Sequence, residues 1–138
     1  MVKFFWNFGS LILVVLGTVH LILTFCTNKF QPKDAAVAKA MKQTNPILSD
    51  SLTMWSGWQG FNASHSAGII FIGMINLYLM TKHVKLLQSD YTFYLLNIFT
   101  VGFYIFLAYK YWFNIPLFGL LITLCCFITS FAIIVLNK

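Results

Sequence analysis

Four long, predominantly apolar runs constrain the fold of this chain more than any other feature of its sequence. They cover residues 4–26, 61–80, 91–109 and 116–136. A helix rises about 1.5 Å per residue, so a run of about 20 residues spans the roughly 30 Å hydrocarbon core of a bilayer. The sequence therefore predicts an all-α integral membrane protein, in which residues 1–138 form a single four-span domain.

Composition agrees with this prediction and excludes several classes of partner. The chain is 59% hydrophobic and only 9% charged, which leaves too few charges to cover a soluble domain. All nine cationic side chains are lysines, and Arg is absent. Bidentate recognition of phosphate by Arg is therefore excluded, and nucleic acid is not an expected partner. The net charge of +6 suits lysines that lie beside anionic lipid head groups.

The cysteines argue against thiol–disulfide chemistry. Cys26 ends the first apolar run, and Cys125 and Cys126 are adjacent in the last. A redox-active pair is typically spaced Cys-x-x-Cys, and that spacing does not occur in the sequence. We interpret the three thiols as small packing groups.

The connections between the runs predict the topology. Two of them are short, so successive helices should be antiparallel neighbours in an up-down-up-down four-helix bundle. Only the first connection is long, and its residues 33–44 combine Asp34, a good N-cap, with Val37 and Met41 four residues apart. This pattern predicts a short amphipathic helix at the membrane interface.

Membrane orientation is only weakly indicated by charge. An even number of spans puts both termini on one side, with Lys3, Lys82, Lys85 and Lys138 against five lysines on the other. The first run lacks a small-residue cleavage site, so it is interpreted as a retained helix. We expect a multi-pass protein of the bacterial inner membrane with cytoplasmic termini.

Each predicted span carries a seam of small and polar residues at helical spacing. The seams are Ser10, Gly17, Thr24 with Leu13, His20, Thr27; Asn62, Ser66, Ile69, Gly73, Asn76, Met80; Asp90, Tyr94, Asn97, Val101, Tyr104, Ala108, Tyr111; and Gly119, Thr123, Cys126, Ser130. Small residues let membrane helices approach closely, and polar side chains bond across the contact. Packing explains the Gly, Ser and Thr members, whereas Asn76 and Asn97 fit packing or function equally well.

Two histidines suggest a candidate site. His20 lies near the end of the first run and His65 near the start of the second, so antiparallel neighbours should bring them to a similar depth. The polar and aromatic residues expected around them are Asn62, Gln59, Trp58, Ser66, Thr24 and Trp55. His65 is about 80° to 100° from the line of Asn62 and Ser66 on a helical projection, so these side chains cannot all point inward equally.

The pair has a structural and a functional interpretation. A histidine between helices often satisfies a neighbouring Ser, Asn or carbonyl group, which is packing alone. An ionisable group within a bilayer is also a candidate for function, and here each imidazole is the other's nearest expected partner. His83, flanked by lysines, is expected in a solvated loop.

The segments GTVHLILTF and MWSGWQGFNASHSAG resemble a family of small, uncharacterised bacterial four-span membrane proteins. The resemblance covers the first two spans and their connection. Its motif positions are Gly17, His20, Trp58, Gly60, Phe61, Asn62, Ser64, His65, Ser66 and Gly68. It implies the same fold and highlights the same residues, but it implies no reaction.

Three hypotheses of function follow from the sequence. The first is a binding protein whose pocket holds a lipid, a quinone or a haem. The second is a structural or accessory subunit, or a homo-oligomer, whose polar seams only pack. The third is an enzyme acting on a lipid-soluble substrate, although no span contains an acid to orient a histidine. Two histidines without a third ligand do not predict a metal site. No charged residue lies within a predicted span, so a channel or transporter is not expected.

Overall fold

The computed structural model describes residues 1–137, apart from the side chain of Leu86; Lys138, used above in the lysine count, lies outside the described residues. The described chain folds into helices. They are α1 (Val2–Phe25), α2 (Ala35–Gln43), α3 (Met54–Lys82), α4 (Val84–Ser89), α5 (Thr92–Tyr111) and α6 (Asn114–Leu136). Four of them, α1, α3, α5 and α6, are long and apolar enough to cross a membrane. The prediction of an all-α four-helix membrane bundle is confirmed.

The helix bounds differ most from the predicted spans at α3. This helix begins at Met54, seven residues before the predicted start of the second span. Thr53 and Ser56 cap it reciprocally, because each backbone N–H donates to the other's hydroxyl oxygen, at 3.0 and 3.2 Å. This is the geometry of a capping box. Trp55, Trp58 and Gln59, which precede the predicted span, are therefore helical.

The interfacial helix predicted in the long connection is α2. The Asp34 side chain accepts a hydrogen bond from the Ala36 N–H at 2.8 Å, as an N-cap does. No α2 residue is buried, which is what a helix lying on a surface would show. Helix α4 was not predicted; its Leu87 is almost fully buried.

Contacts divide the chain into two compact units, residues 1–16 with 69–138, and residues 17–68. The first will be called the 1–16/69–138 unit and the second the 17–68 unit. The division falls within α1 and within α3. The single domain expected from the sequence stays a prediction.

Antiparallel packing is visible in the register of the 1–16/69–138 unit. The Ser130 hydroxyl donates to the Val2 carbonyl, and the Thr123 hydroxyl donates to the Gly9 carbonyl. Residues later in α1 therefore contact residues earlier in α6, so these two helices are antiparallel. The same unit buries Trp6 completely, stacked on Phe127 with ring centroids 4.0 Å apart.

In this unit several polar side chains are buried and many large apolar side chains are exposed, which is the reverse of the distribution in a soluble protein. Asn76, Thr123 and Ser130 are fully buried, whereas Phe99 and Phe118 are 77% and 61% exposed. A soluble monomer rarely exposes apolar surface so extensively. Lipid-facing apolar side chains and bundle-facing polar ones are the arrangement expected of membrane helices. The chain is a multi-pass membrane protein in contact with the lipid bilayer.

Candidate functional site

The two histidines of the predicted site meet within the 17–68 unit. The ring centroids of His20 on α1 and His65 on α3 are 5.5 Å apart, with the rings at 70° in an edge-to-face contact. The Phe30 ring, from the connection after α1, lies 4.7 Å from the His20 ring. Both imidazoles are half-buried. The central expectation of the sequence, that these two side chains converge, agrees with the geometry.

Asn62 connects the pair to the backbone of α3. Its Nδ2 donates to the Trp58 carbonyl at 2.8 Å, which fixes the orientation of the amide. Its Oδ1 lies 2.9 Å from Nε2 of His20. A carbonyl oxygen can only accept, so Nε2 of His20 carries the proton and donates it.

This bond determines the tautomer of His20. In a neutral imidazole one ring nitrogen donates and the other accepts. Because Nε2 donates to Asn62, Nδ1 of His20 is the acceptor. A hydrogen-bonded partner at the opposite nitrogen is the usual way a protein selects a histidine tautomer. Nδ1 of His20 therefore carries a lone pair that can accept a hydrogen bond.

Two of the other predicted site residues, Thr24 and Ser66, bond to their own helices. The Thr24 hydroxyl donates to the His20 carbonyl at 2.8 Å, and the Ser66 hydroxyl donates to the Asn62 carbonyl at 2.9 Å. These hydroxyls donate their protons to the helix backbone. Gln59 is half-buried one turn before Asn62.

Trp55 and Trp58 form an aromatic pair at the start of α3. Their ring centroids are 5.2 Å apart, and the Lys42 ammonium lies 4.6 Å from the Trp55 ring in a cation–π contact. The Met54 N–H also donates to the Thr44 carbonyl at 2.8 Å. These contacts join the end of α2 to the beginning of α3, beside the helix turns that carry Asn62.

Sequence reasoning missed Phe30 and Lys42 as neighbours of the site. Both lie in the long connection, where no helical periodicity relates them to α1 or α3. The sequence also left open how Asn62, His65 and Ser66 could share a face. The helix face between Asn62 and His65 is turned towards His20, so both side chains contact it.

A haem held by both imidazoles would need a nitrogen lone pair from each ring. The Nε2–H of His20 donates to Oδ1 of Asn62, so His20 would have to supply Nδ1. Within residues 1–137, no group of three or more His, Cys, Asp and Glu side chains is placed to hold a metal ion.

Two other groups of polar residues lie apart from the histidine pair or pack internally. Asp50 is exposed in the loop, where its backbone carbonyl accepts a bond from Asn45. Tyr94 and Asn97 of the α5 seam are buried within the 1–16/69–138 unit. The enzyme and accessory-subunit hypotheses stay predictions.

Comparison of the chain with protein-family models, with curated proteins and with solved structures found no match. The fold and the site therefore define the class, a multi-pass all-α membrane protein with a paired imidazole in one of its units. The resemblance to small bacterial four-span proteins stays a prediction.

Proposed function

We propose that this protein binds a small amphipathic molecule with a planar, hydroxyl-bearing head group, of the quinol class, beside His20 and His65. The observation that carries the proposal is the hydrogen bond from Nε2 of His20 to Asn62, which leaves Nδ1 as an acceptor. A hydroxyl group supplies the matching donor.

The aromatic surroundings support a planar head group. His20 has Phe30 against it, and the Phe61 ring lies nearly parallel to the His65 ring at 12°, with centroids 6.3 Å apart. Rings of this kind pack favourably against a flat aromatic ligand. Phe61 is 72% exposed, so an isoprenoid tail attached to the head group can leave the site directly into lipid.

The tautomer predicts which oxidation state of such a molecule binds. A quinol presents hydroxyl donors, whereas a quinone presents only carbonyl acceptors. If a quinone carbonyl faced Nδ1 of His20, two hydrogen-bond acceptors would face each other and no hydrogen bond would form. Leaving the bond unmade costs about 1–3 kcal/mol. The quinol should therefore bind about tenfold more tightly than the quinone, since 1.4 kcal/mol corresponds to a factor of ten.

The experiment compares reduced and oxidised short-chain quinone analogues on purified protein in nanodiscs. Quenching of tryptophan fluorescence reports binding, because Trp55 and Trp58 lie in the same unit as the pair. We expect the tenfold preference for the quinol in the wild type. We expect its loss in Asn62→Leu, which leaves His20 present but releases its tautomer. Equal affinity for both oxidation states in the wild type would refute the proposal.

His83→Leu is the matched control for His20→Leu. His83 lies between α3 and α4 and its ring contacts Tyr78, outside the 17–68 unit. We expect His20→Leu to weaken quinol binding about tenfold and His83→Leu to leave it unchanged. Circular dichroism and gel filtration check that each variant folds. If the two substitutions weakened binding equally, His20 would have no special role.

We further propose that the protein lies in a bacterial cytoplasmic membrane with its termini in the cytoplasm. Cys26, exposed just after α1, is a native probe of this orientation. In a variant with Cys125→Ala and Cys126→Ala, a membrane-impermeant maleimide should label Cys26 in intact spheroplasts. Labelling only after the membrane is opened would reverse the assignment.

A further inference from the structure

A shallow, open groove of about 440 Å³ lies along the first three turns of α1, within the 1–16/69–138 unit. Lys3, Phe4, Asn7, Phe8 and Leu11 of α1 line it together with Leu77 of α3. We propose that this groove binds one anionic glycerophospholipid from the surrounding bilayer. The site is independent of the histidine pair.

Charge identifies the head group end of the groove. Lys3 is exposed in the first turn of α1. It lies at the same end of the unit as Lys82, the last residue of α3. Basic side chains near a membrane surface attract anionic lipids. A phosphate group at Lys3 is the complementary partner.

Asn7 identifies the chemistry one turn deeper. Its Oδ1 is buried and has no hydrogen-bond partner in the unit. Four residues along a helix correspond to about 6 Å, so this carboxamide lies below Lys3 on the same face. A phospholipid has ester carbonyls below its phosphate. Asn7 lines the groove, and its Nδ2, the donor end of the amide, is complementary to such a carbonyl.

Apolar residues provide the path for the acyl chain. Phe4 and Phe8 have nearly parallel rings at 7°, with centroids 6.2 Å apart. Both are exposed, as is Leu11. These three follow one another at i, i+4 and i+7, so they form one stripe along α1. Lys3, Asn7 and Leu11 follow one another at intervals of four residues, so a cation, an amide and an apolar side chain succeed one another in the order of the groups in a glycerophospholipid.

Titration of the purified protein in detergent tests the site, with bound lipids counted by native mass spectrometry. We expect one molecule of phosphatidylglycerol to bind in preference to phosphatidylcholine. Lys3→Gln should weaken phosphatidylglycerol binding about fivefold. Asn7→Leu, which keeps the charge and the apolar wall, should weaken both lipids about threefold.

Lys85→Gln is the matched control, because Lys85 is an exposed lysine that does not line the groove. It should leave the affinity for phosphatidylglycerol unchanged. The proposal is overturned if Lys85→Gln weakens binding as much as Lys3→Gln, or if both lipids bind the wild type equally. Oleate binding as tightly as phosphatidylglycerol would also overturn it, since a fatty acid has no glycerol ester for Asn7.

Discussion

Replacing Asn76 by Leu should destabilise the 1–16/69–138 unit more than any other single polar substitution in it. Asn76 is fully buried and joins three helices. Its Oδ1 accepts from Nε1 of Trp6 on α1 at 2.8 Å, and its Nδ2 donates to Oδ1 of Asn97 on α5 at 2.7 Å. Leu has the same branching as Asn, so the change removes both bonds with little change in shape.

The magnitude follows from the bonds that are lost. Hydrogen bonds between membrane helices contribute about 0.6 kcal/mol on average and about 1.7 kcal/mol at most. Two lost bonds therefore lower the free energy of unfolding by about 1–3 kcal/mol. The upper part of this range is favoured because the buried Trp6 N–H is left without an acceptor.

Asn97→Leu should cost less than Asn76→Leu. It removes the bond between the two asparagines, besides the bond of Asn97 to the Phe93 carbonyl of its own helix. Nδ2 of Asn76 stays satisfied, because it also donates to the Ile72 carbonyl. We expect a loss of about 1 kcal/mol. In the double variant the two effects should not add, since both single changes remove the same bond.

The assay is reversible unfolding in mixed micelles of increasing sodium dodecyl sulfate, followed by circular dichroism. Asn137→Leu is the matched control, because Asn137 is exposed and, among residues 1–137, its side chain bonds to the Ile133 carbonyl of its own helix. It should change stability by no more than about 0.5 kcal/mol. The reasoning fails if Asn97→Leu costs as much as Asn76→Leu, or if the double variant is additive.

Two further predictions concern a helix contact and a helix cap. Gly73→Ala should lower the free energy of unfolding by about 1–3 kcal/mol, because a Cβ there would lie 2.7 Å from the Ser10 carbonyl oxygen; Gly102→Ala, with open space around it, should be neutral or stabilising in the same assay. Asp34→Ala should accelerate hydrogen exchange at the Ala36 amide, because the cap is lost. It should leave the global unfolding midpoint unchanged, since α2 buries no residue; a shifted midpoint would contradict this account.

The candidate site could be anticipated in part because depth along a helix is readable from sequence. The positions of His20 and His65 within their runs predicted that the rings would converge, and their centroids are 5.5 Å apart. The roles of Thr24 and Ser66 could not be anticipated. A hydroxyl on a helix can bond its own backbone or a neighbour, and only the packed geometry selects one of these.

The number of spans, the all-α class and the interfacial helix α2 were determined by the sequence itself. They depend on local properties: the length of an apolar run, the spacing of polar residues and the residue at a helix start. The early start of α3 was also encoded locally, in Thr53 and Ser56, but it gave no apolar signal.

Only tertiary structure decided which polar groups pair. Trp6 and Asn76 are 70 residues apart, and His20 and Asn62 are 42 apart. Whether two such side chains meet depends on the rotation and register of separate helices, which no local periodicity fixes. The acceptor at Nδ1 of His20 exists because of one such meeting, since the Asn62 carbonyl oxygen selects the position of the imidazole proton.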